Sequence, residues 1–302
     1  MPDVVPGLTS IVVVAADSGP LLAKSVGSAL ASSVPVEVIL VDNASSDGEV
    51  ERVAAERAAD ARLRLLRNGA NLGFGPACNR GAATARGDVL VFLNPDCELL
   101  EHSVGGMRET LRADERIGLL GVSVRDADGS PARGNRRRDP SLRRALASLS
   151  GLARFESRWP LLQGVEMPPA PAQASAAEFV EAVSGACMAM PRAVFESIGG
   201  FDEGYFLHVE DLDLCRRTRD AGWRVAMAGG LRVVHAQGSS SRSRPLFVSR
   251  HKHRGMWRYF RKFDPLAGNP LVSAAVWLGI WSHYAVVVAL HPFRKALRRR
   301  TA

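Results

Sequence analysis

Four short segments and one histidine hold the residues whose types and spacing could do chemistry. His208-Val209-Glu210-Asp211-Leu212-Asp213 sets three carboxylates within four positions, just after the aromatic loop Gly204-Tyr205-Phe206-Leu207. Paired carboxylates at the mouth of a helix suit general-base chemistry on a hydroxyl. The same acids could instead only complement the helix dipole. Asn94-Pro95-Asp96 follows the apolar run Val89–Leu93. A carboxylate held just past a buried strand suits a hard divalent cation bridging two phosphates, although Asn-Pro-Asp is also good turn sequence. His235 closes Leu231–Val234 and is either structural or a second ligand beside Asp96. Asp42 ends Val36–Val41, where it could accept hydrogen bonds from a pyrimidine imide or a ribose hydroxyl, or, with Asn43, cap the next helix. Asn71-Leu72-Gly73-Phe74-Gly75-Pro76 is a glycine-rich turn entering a helix, able to bring backbone N–H groups to a diphosphate. It carries neither the dinucleotide fingerprint nor the Gly-Lys-Ser/Thr of a P-loop.

Alternating strands and helices must position these residues. Ser10–Ala15, Val36–Val41, Leu63–Arg67 and Asp88–Leu93 read as strands, separated by helices over Leu21–Ser32, Glu49–Ala61 and Pro76–Ala85. This pattern predicts an α/β fold, a mostly parallel sheet with helices on both faces. In such sheets ligands lie beyond the carboxyl ends of the strands, where Asp42 and Asn94-Pro95-Asp96 both fall. Glu178–Met190 and Arg224–Val234 read as further strands flanking a helix over Leu212–Ala221. Between them, residues 126–177 form an irregular basic and Pro-rich excursion with one helix around Ser141–Leu152, predicted to lie on the surface over one side of the site.

Charge divides the chain unevenly. The net charge is +8 over 302 residues, and after Val233 thirteen Lys or Arg residues face one acid, Asp264. A basic C-terminal end admits nucleic acid, anionic lipid or a phosphorylated substrate as partner. No nucleic-acid module accompanies it, which removes nucleic acid. The four cysteines form no CxxC pair, and Met1–Ser10 lacks the pattern of a signal peptide, so a cytoplasmic chain with reduced thiols is expected. The predicted organisation is a catalytic unit over 1–245 and a basic, apolar helical extension over 246–302. Within the latter, Leu271–Leu290 is long enough to span a bilayer. Its polar middle, Ser282-His283-Tyr284, and the basic clusters on both flanks, Arg258–Lys262 and Arg294–Arg300, instead predict a helix or hairpin lying in the cytoplasmic leaflet. A true span and burial against the catalytic unit are the alternatives.

Read in order, Val-Asp-Asn-Ala-Ser-Ser-Asp-Gly, Asn-Leu-Gly-Phe-Gly with Asn79 and Gly81, Leu-Asn-Pro-Asp, Ser184-Gly185-Ala186, Gly199-Gly200-Phe201-Asp202-Glu203, Glu210-Asp211-Leu212-Asp213 and His235 resemble the family 2 glycosyltransferases of GT-A fold. The likeness is to the rhamnosyltransferase-like branch that acts on bacterial cell-surface polysaccharide, and it spans Ser10 to Ser241. It implies that Asp211 is the catalytic base, with Glu210 beside it, and that Asp42 contacts the nucleotide base. It further implies that Asp96 holds Mg²⁺ or Mn²⁺, that His235 completes the metal site, and that Asn43, Asn71, Gly73, Asn79, Asn94 and Gly185 serve the nucleotide-sugar. Two departures stand out: Asn94 replaces the first acid of the Asp-x-Asp motif, and Ala15-Ala16-Asp17-Ser18 replaces the usual Asn-aromatic-Asn. The implied activity is inverting transfer of a sugar, rhamnose from dTDP-rhamnose, to a glycan or lipid-linked acceptor at the anionic cytoplasmic face of the inner membrane. The alternatives are a UDP-hexose or UDP-galactofuranose donor, or a nucleotide-sugar-binding protein without catalysis. A nucleotidyltransferase would want cations directly after the first strand, and Asp17-Ser18-Gly19-Pro20 offers none.

Overall fold

The computed structural model describes residues 2–126, 128–132, 134–168, 177–235 and 244–300, with side chains described to 293. Its core is a nine-stranded sheet in the order β3-β2-β1-β4-β10-β6-β11-β5, with β8 pairing β11. The strands are β1 (Val5–Ala15), β2 (Val36–Asp42), β3 (Leu63–Arg67), β4 (Gly87–Leu93), β5 (Cys97–Leu99), β6 (Ile117–Asp126), β8 (Ala177–Phe179), β10 (Cys187–Pro191) and β11 (Arg224–His235). A separate ribbon pairs β7 (Arg136–Arg137) with β9 (Ala182–Val183). β10, β5 and β8 run against the rest, so the sheet is mostly parallel, as the alternating pattern predicts.

Helices cover both faces. The period of two along β1 sends Ile11, Val13 and Ala15 into one apolar layer with α1 (Leu21–Leu30), α2 (Glu49–Glu56) and α4 (Ser103–Ala113). Val12 and Val14 point into the other, with α3 (Phe74–Thr84), α6 (Arg192–Ser197) and α7 (Glu210–Asp220). α3 approaches the sheet so closely that a Cβ on Gly81 would stand 2.6 Å from Val12 Cγ1, and only glycine fits there.

The excursion contributes α5 (Leu142–Leu149) and two short 3₁₀ turns. The Pro-rich segment Met167–Pro171 and the Gln-Gly-Ser run after His235 extend outside the described residues. Beyond the sheet lie α8 (Pro245–Phe263) and α9 (Pro270–Arg300). α8 is clamped to the catalytic body: Arg258 and Lys262 bond Asp202, Lys262 Nζ also donates to Asp213 at 2.6 Å, and the Tyr259 hydroxyl donates to Asp139 at 3.2 Å.

One expectation is corrected here, two elements go unpredicted, and the alternatives for the C-terminal stretch narrow to a helix. Glu178–Met190 is not one strand but β8, β9 and β10, because β9 turns off to pair β7 and Ser184-Gly185-Ala186 bends toward α7. α4 and β6 had no counterpart in the sequence reading, although β6 is central and parallel to β11; its Ile117–Val124 run is cut by Gly118, Gly121 and Ser123, which blurs the apolar signal. Leu271–Leu290 is neither a hairpin nor packed into the core. It is part of one continuous helix, long and apolar enough to cross a membrane, and almost none of it is buried.

Candidate active site

The strand directions gather the site at one edge. β1, β2, β4, β6 and β11 all end there, with Ala15, Asp42, Leu93, Asp126 and His235 as their last residues. Because β5 runs back alongside β11 with Cys97 opposite His235, Asp96 is brought next to the histidine. Asp96 Oδ2 lies 3.2 Å from His235 Nε2. Ligand atoms of Asp96, Cys97 and His235 all fall within 4.8 Å of one another. A carboxylate oxygen and an imidazole nitrogen so placed fit Mn²⁺, and the oxygen alone suits Mg²⁺. Cys97 is fully buried, and burial with the charge of Asp96 pushes its thiol well up, so it stays neutral. The hydrogen bond that His235 donates to Asp96, with the charges of Asp96 and Asp126, outweighs burial and raises His235 from its ordinary value. Asn94 is fixed through its backbone, its N–H donating to Ala186 O at 2.9 Å and its carbonyl accepting from Ser25 Oγ at 3.1 Å.

The glycine-rich turn is held by Asn43. Its buried amide donates to Asn71 Oδ1 at 2.9 Å and Gly73 O at 3.1 Å, while its oxygen accepts from Asn68 Nδ2 and the Leu72 N–H, both at 3.0 Å. Every hydrogen-bonding position of Asn43 is therefore engaged within the chain, and its visible role is to shape the turn. Asn71 caps the turn by accepting from the Gly73 N–H at 3.0 Å. Gly73 has φ 93° and ψ 172°, a region that glycine alone occupies readily. A Cβ there would sit 2.4 Å from the carbonyl oxygen of Phe206, which accepts the Phe74 N–H. Asp42 accepts from the Ser45 N–H at 2.8 Å and from Arg67 at 3.1 Å. Asn79 faces away from the cleft. It bonds both the carbonyl and the N–H of Phe201, tying α3 to the Gly199–Glu203 loop.

Asp211 is the most tightly held of the acids. Its Oδ2 accepts from the Gly185 N–H at 3.0 Å and from Arg137, and its Oδ1 from the Leu212 N–H at 2.8 Å. Burial raises its pKa, but the charge and hydrogen bond of Arg137 with the two N–H groups prevail, and the carboxyl lies below its ordinary value. Gly185 packs tightly here, since a Cβ would stand 3.0 Å from Asp211 Cβ and press on the base. Glu210 behaves oppositely. It is buried, its Oε2 has no hydrogen-bond partner among the described residues, and desolvation followed by the charge of Asp211 drives it well above the carboxylate range. One carboxylate and one protonated acid thus stand side by side. Burial also keeps His208 below its usual value despite Asp211. The third acid, Asp213, is wholly buried between Arg217 and Lys262 and serves structure.

The backbone at this point is strained. His208 and Val209 have φ of 65° and 75°, a left-handed turn that a β-branched residue rarely adopts and that costs roughly 1–3 kcal/mol per residue. The turn is what aims Glu210 and Asp211 from the start of α7 into the cleft.

One cavity of about 1480 Å³ contains Asp96, His235, Asn94, Gly73, Gly185, Glu210 and Asp211 together. That exceeds the roughly 300–1,000 Å³ of an ordinary small-molecule site, leaving space for two substrates. Asp42 and Asn79 do not line it. Sequence reasoning missed Arg137, whose only trace was the Arg136–Arg138 run. It also missed Arg244 and the ring cluster Phe206, Phe247 and His251, with centroids 4.4–5.6 Å apart. Arg244 lines the cavity and lies 3.4 Å from Asp17.

Residues 10–198 match the family described as Glycosyl transferase family 2. The chain belongs to that family, and its fold is of GT-A type. It is 31% identical over 287 residues to the N-acetylglucosaminyl-diphospho-decaprenol L-rhamnosyltransferase of Mycobacterium tuberculosis, covering 85% of this chain and 88% of that relative. Among solved structures it resembles the mannosyltransferase PcManGT from Pyrobaculum calidifontis in complex with GDP-Man and Mn²⁺, at a TM-score of 0.57 and 18% identity, over 100% of this chain and 81% of the other. It also resembles GalNAc-T7 with UDP, GalNAc and Mn²⁺, at a TM-score of 0.60 and 17% identity, over 78% of this chain and 44% of that one.

Proposed function

We propose that the protein transfers rhamnose from dTDP-rhamnose, with inversion, to a hydroxyl of a polyprenyl-diphosphate-linked glycan, working at the cytoplasmic face of the inner membrane. The observation that carries this reading is Asp211, an ionised carboxylate fixed by Gly185 and Arg137 in the same cavity as Asp96 and His235. The sugar and acceptor are supported by the relative that shares 31% of its residues over most of both chains. The membrane location is supported by the exposed apolar α9 and the basic C-terminal sequence.

Asp211 takes the proton of the acceptor hydroxyl as its oxygen attacks the anomeric carbon from the side opposite the nucleotide. A single displacement inverts that carbon and needs no covalent intermediate. Asp96 and His235 would hold Mg²⁺ or Mn²⁺, whose positive charge stabilises the diphosphate as it leaves. Glu210, kept protonated by burial, stays out of the proton transfer and adds no second negative charge beside the base. The turn held by Asn43 shapes the cavity wall at Asn71, Gly73 and Phe74, on the donor side. Asp211→Asn should preserve the fold and donor binding while lowering kcat by about 10²–10⁴-fold. The check is steady-state transfer alongside calorimetric donor binding; near-normal turnover would remove Asp211 from the role.

A further inference from the structure

The cavity around Asp211 continues into an apolar groove. Its walls include Leu146 and Leu149 of α5, Met256 of α8 and a stripe of α9. That stripe runs through Val272, Val276, Gly279, His283 and Val287, spaced by three and four residues so that they share one helix face. The remaining faces of α9 are apolar too, with Leu271, Leu278 and Phe293 open to the surroundings. A helix apolar all round is normally buried in protein or in lipid. Here one face borders the groove and the others have no protein cover among the described residues. His283, one of the polar residues that argued against a span, meets His253 of α8 at 2.9 Å, so its polarity is spent on holding α9 against α8. On α5, Leu146 and Leu149 remain 57% and 70% exposed along the groove, the wrong side chains for a surface left in water. Lys252 and Arg244 line the same cavity and offer positive charge to phosphate oxygens.

We propose that this groove binds the isoprenoid chain of a polyprenyl-diphosphate acceptor, with Lys252 engaging the diphosphate. The inference rests on the lipid-linked acceptor proposed above. Two features select this occupant. The groove is continuous with the cavity of the base, so a chain lying in it is tethered to a head group that reaches Asp211. The lining changes from charged to apolar within one cavity, which matches a molecule with a diphosphate at one end and hydrocarbon at the other.

The test uses the full-length protein without vesicles, titrated with farnesyl and geranylgeranyl diphosphate below their micellar concentrations and followed by tryptophan fluorescence. The added isoprene unit should tighten binding by about tenfold or more, as burial of five further carbons requires. Ala275→Trp, filling the groove at a further lining residue of α9, and Leu146→Asp, on an exposed position that tolerates polarity, should each remove that chain-length dependence. Lys252→Met should weaken both ligands by a similar factor and keep it. Leu161→Ser, at a 78% exposed apolar site outside the groove, should leave it intact. Equal affinity for the two chain lengths in the unmodified protein overturns the proposal, as does equal loss in Leu161→Ser, which would mean general adhesion to apolar surface. A dimer in analytical ultracentrifugation that disperses on adding the ligand assigns the groove to a second copy instead. Binding does not depend on turnover: a protein that transfers no sugar yet binds in a length-dependent way keeps the groove and loses the proposed reaction, and the converse result loses only the groove.

Discussion

Replacing Arg137 by methionine separates what the cation does for the base from what it does for the fold. Two unit charges about 4 Å apart attract by about 4 kcal/mol at an effective dielectric of 20. That is the scale on which Arg137 favours the charged form of Asp211 and holds its carboxyl below the ordinary value. The Gly185 and Leu212 N–H groups remain in the variant and keep part of the depression, so the Asp211 carboxyl should rise without losing all of it. Asp211 acts only when unprotonated. Removing the cation raises its pKa, so the acidic limb of kcat/KM should move to higher pH, with the loss of rate greatest on the acidic side and smallest on the alkaline side. Glu210 pushes the same way, since without Arg137 the adjacent acids hold a shared proton more readily. Breaking a buried pair also destabilises by about 3–5 kcal/mol, so the profiles belong well below the variant's Tm. Arg137→Lys should return part of the shift, because it restores charge without the fork that also reaches Val183 O. A uniform fall in kcat with an unmoved acidic limb would refute the reasoning, and a selective rise in donor KM would reassign Arg137 to the diphosphate.

Transfer should stop with a chelator and return with Mn²⁺ or Mg²⁺, and His235→Ala should raise the metal concentration for half-maximal rate; activity indifferent to chelation would leave Asp96 and His235 as a plain ion pair. Gly73→Ala should cost at least about 1–3 kcal/mol by thermal unfolding and weaken donor binding, because its φ is unfavourable and its Cβ meets the Phe206 carbonyl. The full-length protein should sediment with anionic liposomes and be only partly released by high salt, since each Lys or Arg contributes roughly 1 kcal/mol of screened attraction while apolar burial of α9 is insensitive to salt. Complete release at high salt would leave α9 without a part in attachment.

The sequence by itself determined the elements whose signals are local. Short apolar runs placed β2 to β4 within a residue and the carboxyl end of β1, which starts earlier at Val5, and polar residues just beyond them marked the ligand edge. Asp96, His235 and Asp211 were recognisable because strand ends and helix mouths leave short sequence traces. Long-range pairing decided the rest. That Asp96 meets His235 follows from β5 doubling back along β11, a register between residues far apart in the chain. Asn43 and Asn79 looked like ligand contacts, yet their amides hold the glycine turn and the Gly199–Glu203 loop. Residue type alone did not separate the three neighbouring acids; the family resemblance singled out Asp211 without a physical reason. Burial against Arg217 and Lys262 made Asp213 structural, desolvation made Glu210 protonated, and Arg137, delivered by a ribbon from an excursion with no readable pattern, made Asp211 the ionised one. A carboxyl's charge state is set by what surrounds it in three dimensions, and no spacing of residues along a chain specifies those surroundings.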